Sequence, residues 1–165
     1  MEEIYLGRLE TLSEMESHYS NGDVGYFVRA LKHPDRVIRI RALSVLEVLG
    51  NSSSVSPIGE VLEREGDEIV RHEAAFVLGQ LGYSTALPYL EKAALHDTST
   101  IVRHEAAVAM GVIGSEEAEE TLKQVFNLDA SPSVRFSAEI ALSNLEFLKL
   151  NRSESRLDFA RRTGG

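Results

Sequence analysis

Val70-Arg71-His72-Glu73-Ala74-Ala75 and Val102-Arg103-His104-Glu105-Ala106-Ala107 carry the same six residues, 32 positions apart. The interval extends beyond them, since Arg39, Arg71, Arg103 and Arg135 all stand 32 residues apart. Before each arginine comes an apolar residue (Ile38, Val70, Val102, Val134). Three positions after it comes alanine (Ala42, Ala74, Ala106, Ala138), and seven after it Leu46, Leu78, Met110 or Leu142. Within a unit, Val70, Ala74, Val77, Leu78 and Leu81 recur at helical intervals, which predicts one amphipathic helix per unit. Gly50, Gly82 and Gly114 follow the first three of these helices and are expected to stop them in the left-handed cap conformation.

A second helix precedes each of these, carrying Tyr26 and Leu31, then Ile58, Val61 and Leu62, then Leu87 and Leu90, then Leu122, Val125 and Phe126. A single helical hairpin of this size has too little apolar surface to stand alone, so neighbours must stack. The expected architecture is all-α, a short solenoid of four hairpins from about Asp23 to Leu148 with a helix-length cap at each end. Ile4, Leu6, Leu9 and Leu12 are the residues expected to close the N-terminal end. The expected division is a repeat domain over residues 1–150 and a polar, arginine-rich tail over 151–165.

Composition narrows the function classes. The 165 residues carry a net charge of −9, and the tail holds four arginines against Glu154 and Asp158. The tail is therefore +2, which leaves −11 on residues 1–150. Such a surface disfavours nucleic acid and favours a cationic partner. Cysteine is absent, so a metal would have to be held by His, Asp or Glu. No apolar run approaches the roughly 18 residues of a spanning helix, and Met1-Glu2-Glu3-Ile4 lacks the features of a signal peptide. No membrane partner and a cytoplasmic location are the expectation.

The hexapeptide breaks the repeat in one respect. After the arginine the outer units read Ile40-Arg41 and Phe136-Ser137, whereas the two central units read His72-Glu73 and His104-Glu105. The Ile40 and Phe136 column is expected to be at least half buried, where an unpaired imidazole would cost about 1 to 3 kcal/mol. Stacked helices lie about 8 to 10 Å apart. His72 and His104 could therefore converge on one ion, with Glu73 or Glu105 completing the two-histidine, one-carboxylate face that suits non-heme ferrous iron. The competing reading is a hydrogen-bonded polar pair without metal. The arginine column is read as a structural ladder, with Asp35, Glu68, Asp97 and Asp129 in the preceding turns as its candidate partners. His18, His33 and His96 do not recur at the repeat interval and are expected to have surface or turn roles.

From Val70 through His72-Glu73 and Gly79-Gln80-Leu81, then His104-Glu105 and on to Glu146-Phe147-Leu148, the chain resembles deoxyhypusine hydroxylases. The resemblance implies a right-handed HEAT-type α-solenoid. It further implies an oxygen-dependent, iron(II) monooxygenase acting on the deoxyhypusine side chain of a translation factor, a cationic amine on a protein substrate. His72, His104 and Glu105 would then be iron ligands, and Glu73 would lie beside the metal or on the substrate, with Glu73 and Glu105 as the catalytic carboxylates. The family carries four His-Glu pairs in a chain with two halves. This sequence carries two pairs, so the resemblance implies a homodimer or a mononuclear centre. A HEAT-type scaffold binding a partner protein without catalysis is the alternative.

Overall fold

The computed structural model describes residues 2–151, with side chains from Leu6 onward. The described residues are helical and contain no strand. The first helix, α1 (Glu2–Ser20), is followed by four hairpins. These pair α2 (Val24–Ala30) with α3 (Arg36–Leu49), α4 (Val55–Arg64) with α5 (Glu68–Leu81), α6 (Leu87–His96) with α7 (Thr100–Ile113), and α8 (Glu119–Leu128) with α9 (Pro132–Leu150). The tail expected from residue 151 lies, beyond Asn151, outside the described residues.

Each second helix starts where an Asp or Ser stands just before it. Asp35 and Asp67 accept from the amides of Val37 and Ile69, which satisfies donors that the first helical turn leaves open. The stops differ. Gly82 and Gly114 take the left-handed conformation at φ 73° and 69°, as expected, whereas Gly50 is extended at φ −64°. The chain leaves α3 without the left-handed turn, so glycine's freedom is not used there.

The second helices of the hairpins, α3, α5, α7 and α9, stack side by side, and the first helices cover them. Ile38, Val70, Val102 and Val134 are fully buried, as are Ala42, Ala74, Ala106 and Ala138. The N-terminal end is closed differently from expectation. Leu6 and Leu9 are exposed, and it is Met15 that is buried against the core with Leu12 partly so. His18 then stacks on Tyr26 with ring centroids 3.7 Å apart and pairs with Asp23 at 2.9 Å, tying α1 to α2. Ile4 lies among the residues whose side chains are not described.

The inner helices approach closely because of two glycines in matching positions. A Cβ at Gly79 would sit 2.8 Å from the Ala109 Cβ, and one at Gly111 would sit 2.8 Å from the Ala141 Cβ. Both contacts include the facing backbone, so no rotamer change could relieve them.

The arginine ladder is present, but it runs in the other direction. The Nη1 of Arg71 donates to the carbonyls of Glu65 and Gly66 in its own unit. Its Nε and Nη2 cross to Asp97 of the next unit at 2.8 and 2.9 Å. Arg103 repeats this with Asp129 at 2.7 and 3.2 Å, and Arg39 reaches Glu65 at 2.7 Å. Asp35 is taken instead by Arg8. The reason is steric, since the carbonyls of the preceding turn already occupy the near edge of each guanidinium. Burial pushes the Asp97 carboxyl upward, but Arg71 and the Ser99 amide outweigh it and hold it below the usual range. Among the described residues no helix is long and apolar enough to cross a membrane.

Replacing Gly79 or Gly111 with alanine is expected to lower stability by about 1 to 3 kcal/mol from overpacking, despite alanine's better helix propensity. Urea unfolding followed by circular dichroism measures this, and an unchanged midpoint would show that the inner helices can spread at no cost.

A line of His-Glu couples on the inner helices

His72 and Glu73 lie in the first half of α5, and His104 and Glu105 lie at the same turn of α7. Successive inner helices meet through opposite faces, so a residue does not meet its own equivalent in the next unit, and each of the two histidines meets the residue 33 positions later. His72 Nε2 is 3.3 Å from Glu105 Oε2, and His104 Nδ1 is 2.6 Å from Ser137 Oγ. Glu73 faces the other way, toward α3, where it accepts from the Ser44 hydroxyl at 3.2 Å. The four candidates thus form a line of couples, Ser44 with Glu73, His72 with Glu105, and His104 with Ser137.

Glu105 is 8% exposed, which makes it one of the few buried charged groups among the described residues. A carboxylate there needs a donor, and His72 supplies it. The Glu105 bond raises the His72 pKa above 6.5, burial opposes this, and the charges of Glu105 and Glu73 reinforce it. A raised folded value means that the stabilisation is complete below the ordinary histidine pKa. It is lost as pH rises through the folded value.

The other histidine is held in a defined way. Ser137 is 3% exposed and donates its one hydroxyl proton to the Ser133 carbonyl at 2.9 Å. The oxygen therefore accepts from His104 Nδ1–H, which leaves Nε2 as the lone-pair nitrogen of the neutral ring. A histidine oriented through its other nitrogen in this way has the form that metal ligands take. Ser137 and Ser44 were missed from the sequence. The signal that would have found them is an offset other than the repeat length, 33 residues for His104 with Ser137 and 29 for Ser44 with Glu73.

Imidazole nitrogen and carboxylate oxygen suit iron(II) in kind. They do not suffice in number, since no group of three or more His, Asp or Glu side chains that could hold a metal forms among the described residues. One chain gathers a pair, His72 with Glu105. The column that holds these couples is less buried than expected at its last position, where Phe136 is 61% exposed.

Stacked helical hairpins with an arginine ladder define a class of α-solenoid. The chain belongs to the family of HEAT repeats, whose model matches residues 24–111 and 55–143. It is similar to the structure of human deoxyhypusine hydroxylase in complex with glycerol, with 30% sequence identity and a TM-score of 0.72. The match covers 86% of this chain and 49% of that one, so the chain spans about half the length of this neighbour. No curated protein sequence matches it.

His72 is expected to titrate above 6.5 by NMR, and Glu105→Gln should bring its midpoint down, because burial then acts without the carboxylate. Ser137→Ala is expected to cost about 1 to 2 kcal/mol in urea unfolding, with Ser137→Thr recovering most of it.

Proposed function

We propose that this chain is an iron(II)-dependent monooxygenase of the deoxyhypusine hydroxylase type, acting on a cationic amine side chain of a protein substrate. Its site would be completed by two copies of the chain. The observation that carries this reading is the pair of His-Glu motifs at one turn of adjacent inner helices, with His72 against Glu105 at 3.3 Å. Likeness to the human enzyme over 86% of the chain supports it, as does the net charge of −9, which suits a polyamine-like substrate.

In this reading His72, His104 and Glu105 are the metal-directed groups. Ser137 fixes the His104 ring so that Nε2 is available, and Glu105 holds His72 in orientation. Glu73, turned toward α3, is the carboxylate assigned to the cationic amine or to the edge of the metal site. One chain offers two histidines and two glutamates in these motifs, which is why a second copy is part of the proposal.

A second reading is a scaffold of HEAT repeats without catalysis. The satisfied couples His72 with Glu105 and His104 with Ser137 favour it, since both rings already have partners inside the chain.

Elemental analysis of protein purified without added chelator separates the two. The enzyme reading expects iron at about one per chain, lost in the double variant His72→Ala/His104→Ala with the helical circular dichroism spectrum retained. It also expects oxygen consumption with a deoxyhypusine-bearing protein. Metal-free protein that takes up no iron(II) would leave the scaffold.

A further inference from the structure

We propose that the outer face of α9 is the surface on which a second copy of this chain docks, with the two α9 helices antiparallel. This deepens the reading above and rests on it for the choice of a second copy as occupant. The surface itself is argued from the joints between units.

Every internal joint has two parts. One is a ridge on the inner helix that meets the next inner helix. On α7 it runs through His104 and Gly111, which meet Ser137 and Ala141 of α9. The other is the ladder arginine crossing to a carboxylate of the next unit. Arg103 bonds the carbonyls of Asp97 and Thr98 and then Asp129.

The outer side of α9 has both parts, and among the described residues nothing meets them. Arg135 bonds the carbonyls of Asp129 and Ala130 at 2.8 and 3.2 Å, as its predecessors do, yet no carboxylate pairs with it among the described residues. The ridge residues Phe136, Ile140 and Phe147 are 61%, 43% and 37% exposed, and Leu150 is 77% exposed. Phe126 of α8, expected in the core, is 39% exposed at the same end of the solenoid.

Two features make this ridge suited to itself. Phe136, Ile140, Ser143, Phe147 and Leu150 are spaced four, three, four and three, the seam spacing of paired helices. An antiparallel pair centred between Ile140 and Ser143 sets Phe136 against Phe147 of the other copy, and Ile140 against the small Ser143. The charges then complement each other. Glu146 is exposed on the same end of the solenoid, and in this pairing it comes within reach of Arg135 of the other copy, twice by symmetry. Lys149 is occupied by Glu119 on α8.

The length of α9 fits the same role. Position 146 corresponds to Gly82 and Gly114, where α5 and α7 stop, but here it is glutamate and the helix runs on to Leu150. The overrun supplies Phe147 and Leu150, without which the seam would be two turns long.

Sedimentation equilibrium of the full chain at up to about 100 µM is the test. The expected mass is twice 18.2 kDa. Phe136→Asp/Ile140→Asp should give monomer with unchanged helical content, since both residues are exposed. Arg135→Glu should weaken the dimer by about tenfold or more, and adding Glu146→Arg should restore it. A wild-type monomer would overturn the proposal, as would a dimer indifferent to these changes. A chain ending at Asn151 that dimerises while the full chain does not would also overturn it, showing that the tail covers the face. His72→Ala/His104→Ala should leave the dimer intact. A dimer without iron therefore removes the proposed activity and keeps the interface, whereas an iron-loaded dimer that is indifferent to Phe136→Asp/Ile140→Asp and Arg135→Glu keeps the two-copy site and removes this interface.

Discussion

The approach of one inner helix to the next is the constraint on which the structure depends. Gly79 lies against Ala109 and Gly111 against Ala141 at distances that leave no room for a methyl group. The helices therefore lock at one stagger. The arginine crossings hold the outer layer at the same interval, with Arg71 and Asp97, and Arg103 and Asp129, largely shielded from water. A buried bidentate pair adds less to net stability than to geometry, because much of its attraction offsets the desolvation of both ions. Its effect here is to fix how far each unit turns relative to the last.

That stagger has a chemical consequence. A His-Glu motif copied from one unit to the next does not put like against like. It puts the histidine of one unit against the carboxylate of the following one, as with His72 and Glu105. The line then ends in serine on both sides, at Ser44 and Ser137. Each polar side chain in this half-buried strip has a partner, as burial requires. The serines are the least demanding way to close a row that could otherwise continue through further units.

Repeat proteins need a distinct surface at each end, because a stacking face without a neighbour leaves apolar area in water. The N-terminal end is closed by α1, where Met15 is buried and His18 stacks on Tyr26. The C-terminal end keeps the character of an internal joint, with an apolar ridge on α9 and a ladder arginine that pairs with no carboxylate among the described residues. The asymmetry between the ends is what sets this chain apart from a closed solenoid.

The 32-residue period, the helix pair in each unit, the alanine column and the solenoid class were legible in the sequence, because a helix repeats every 3.6 residues and a stripe of apolar residues must face a core. The His-Glu motifs stood out for the same reason, as a departure from a regular column. The partner of each side chain was not legible. Periodicity along one helix fixes which way a residue points, but not how far the neighbouring helix is shifted along its axis. Equivalent residues of two units point the same way, so His72 and His104 do not face each other, and His72 meets what the opposite face of the next helix presents, here Glu105. Only the packing decides which residue that is, because it depends on how the two faces interlock, as at Gly79 with Ala109 and Gly111 with Ala141. The same holds for Phe136, whose column is partly covered at Ile40 and open at the end of the stack, where no further helix follows among the described residues.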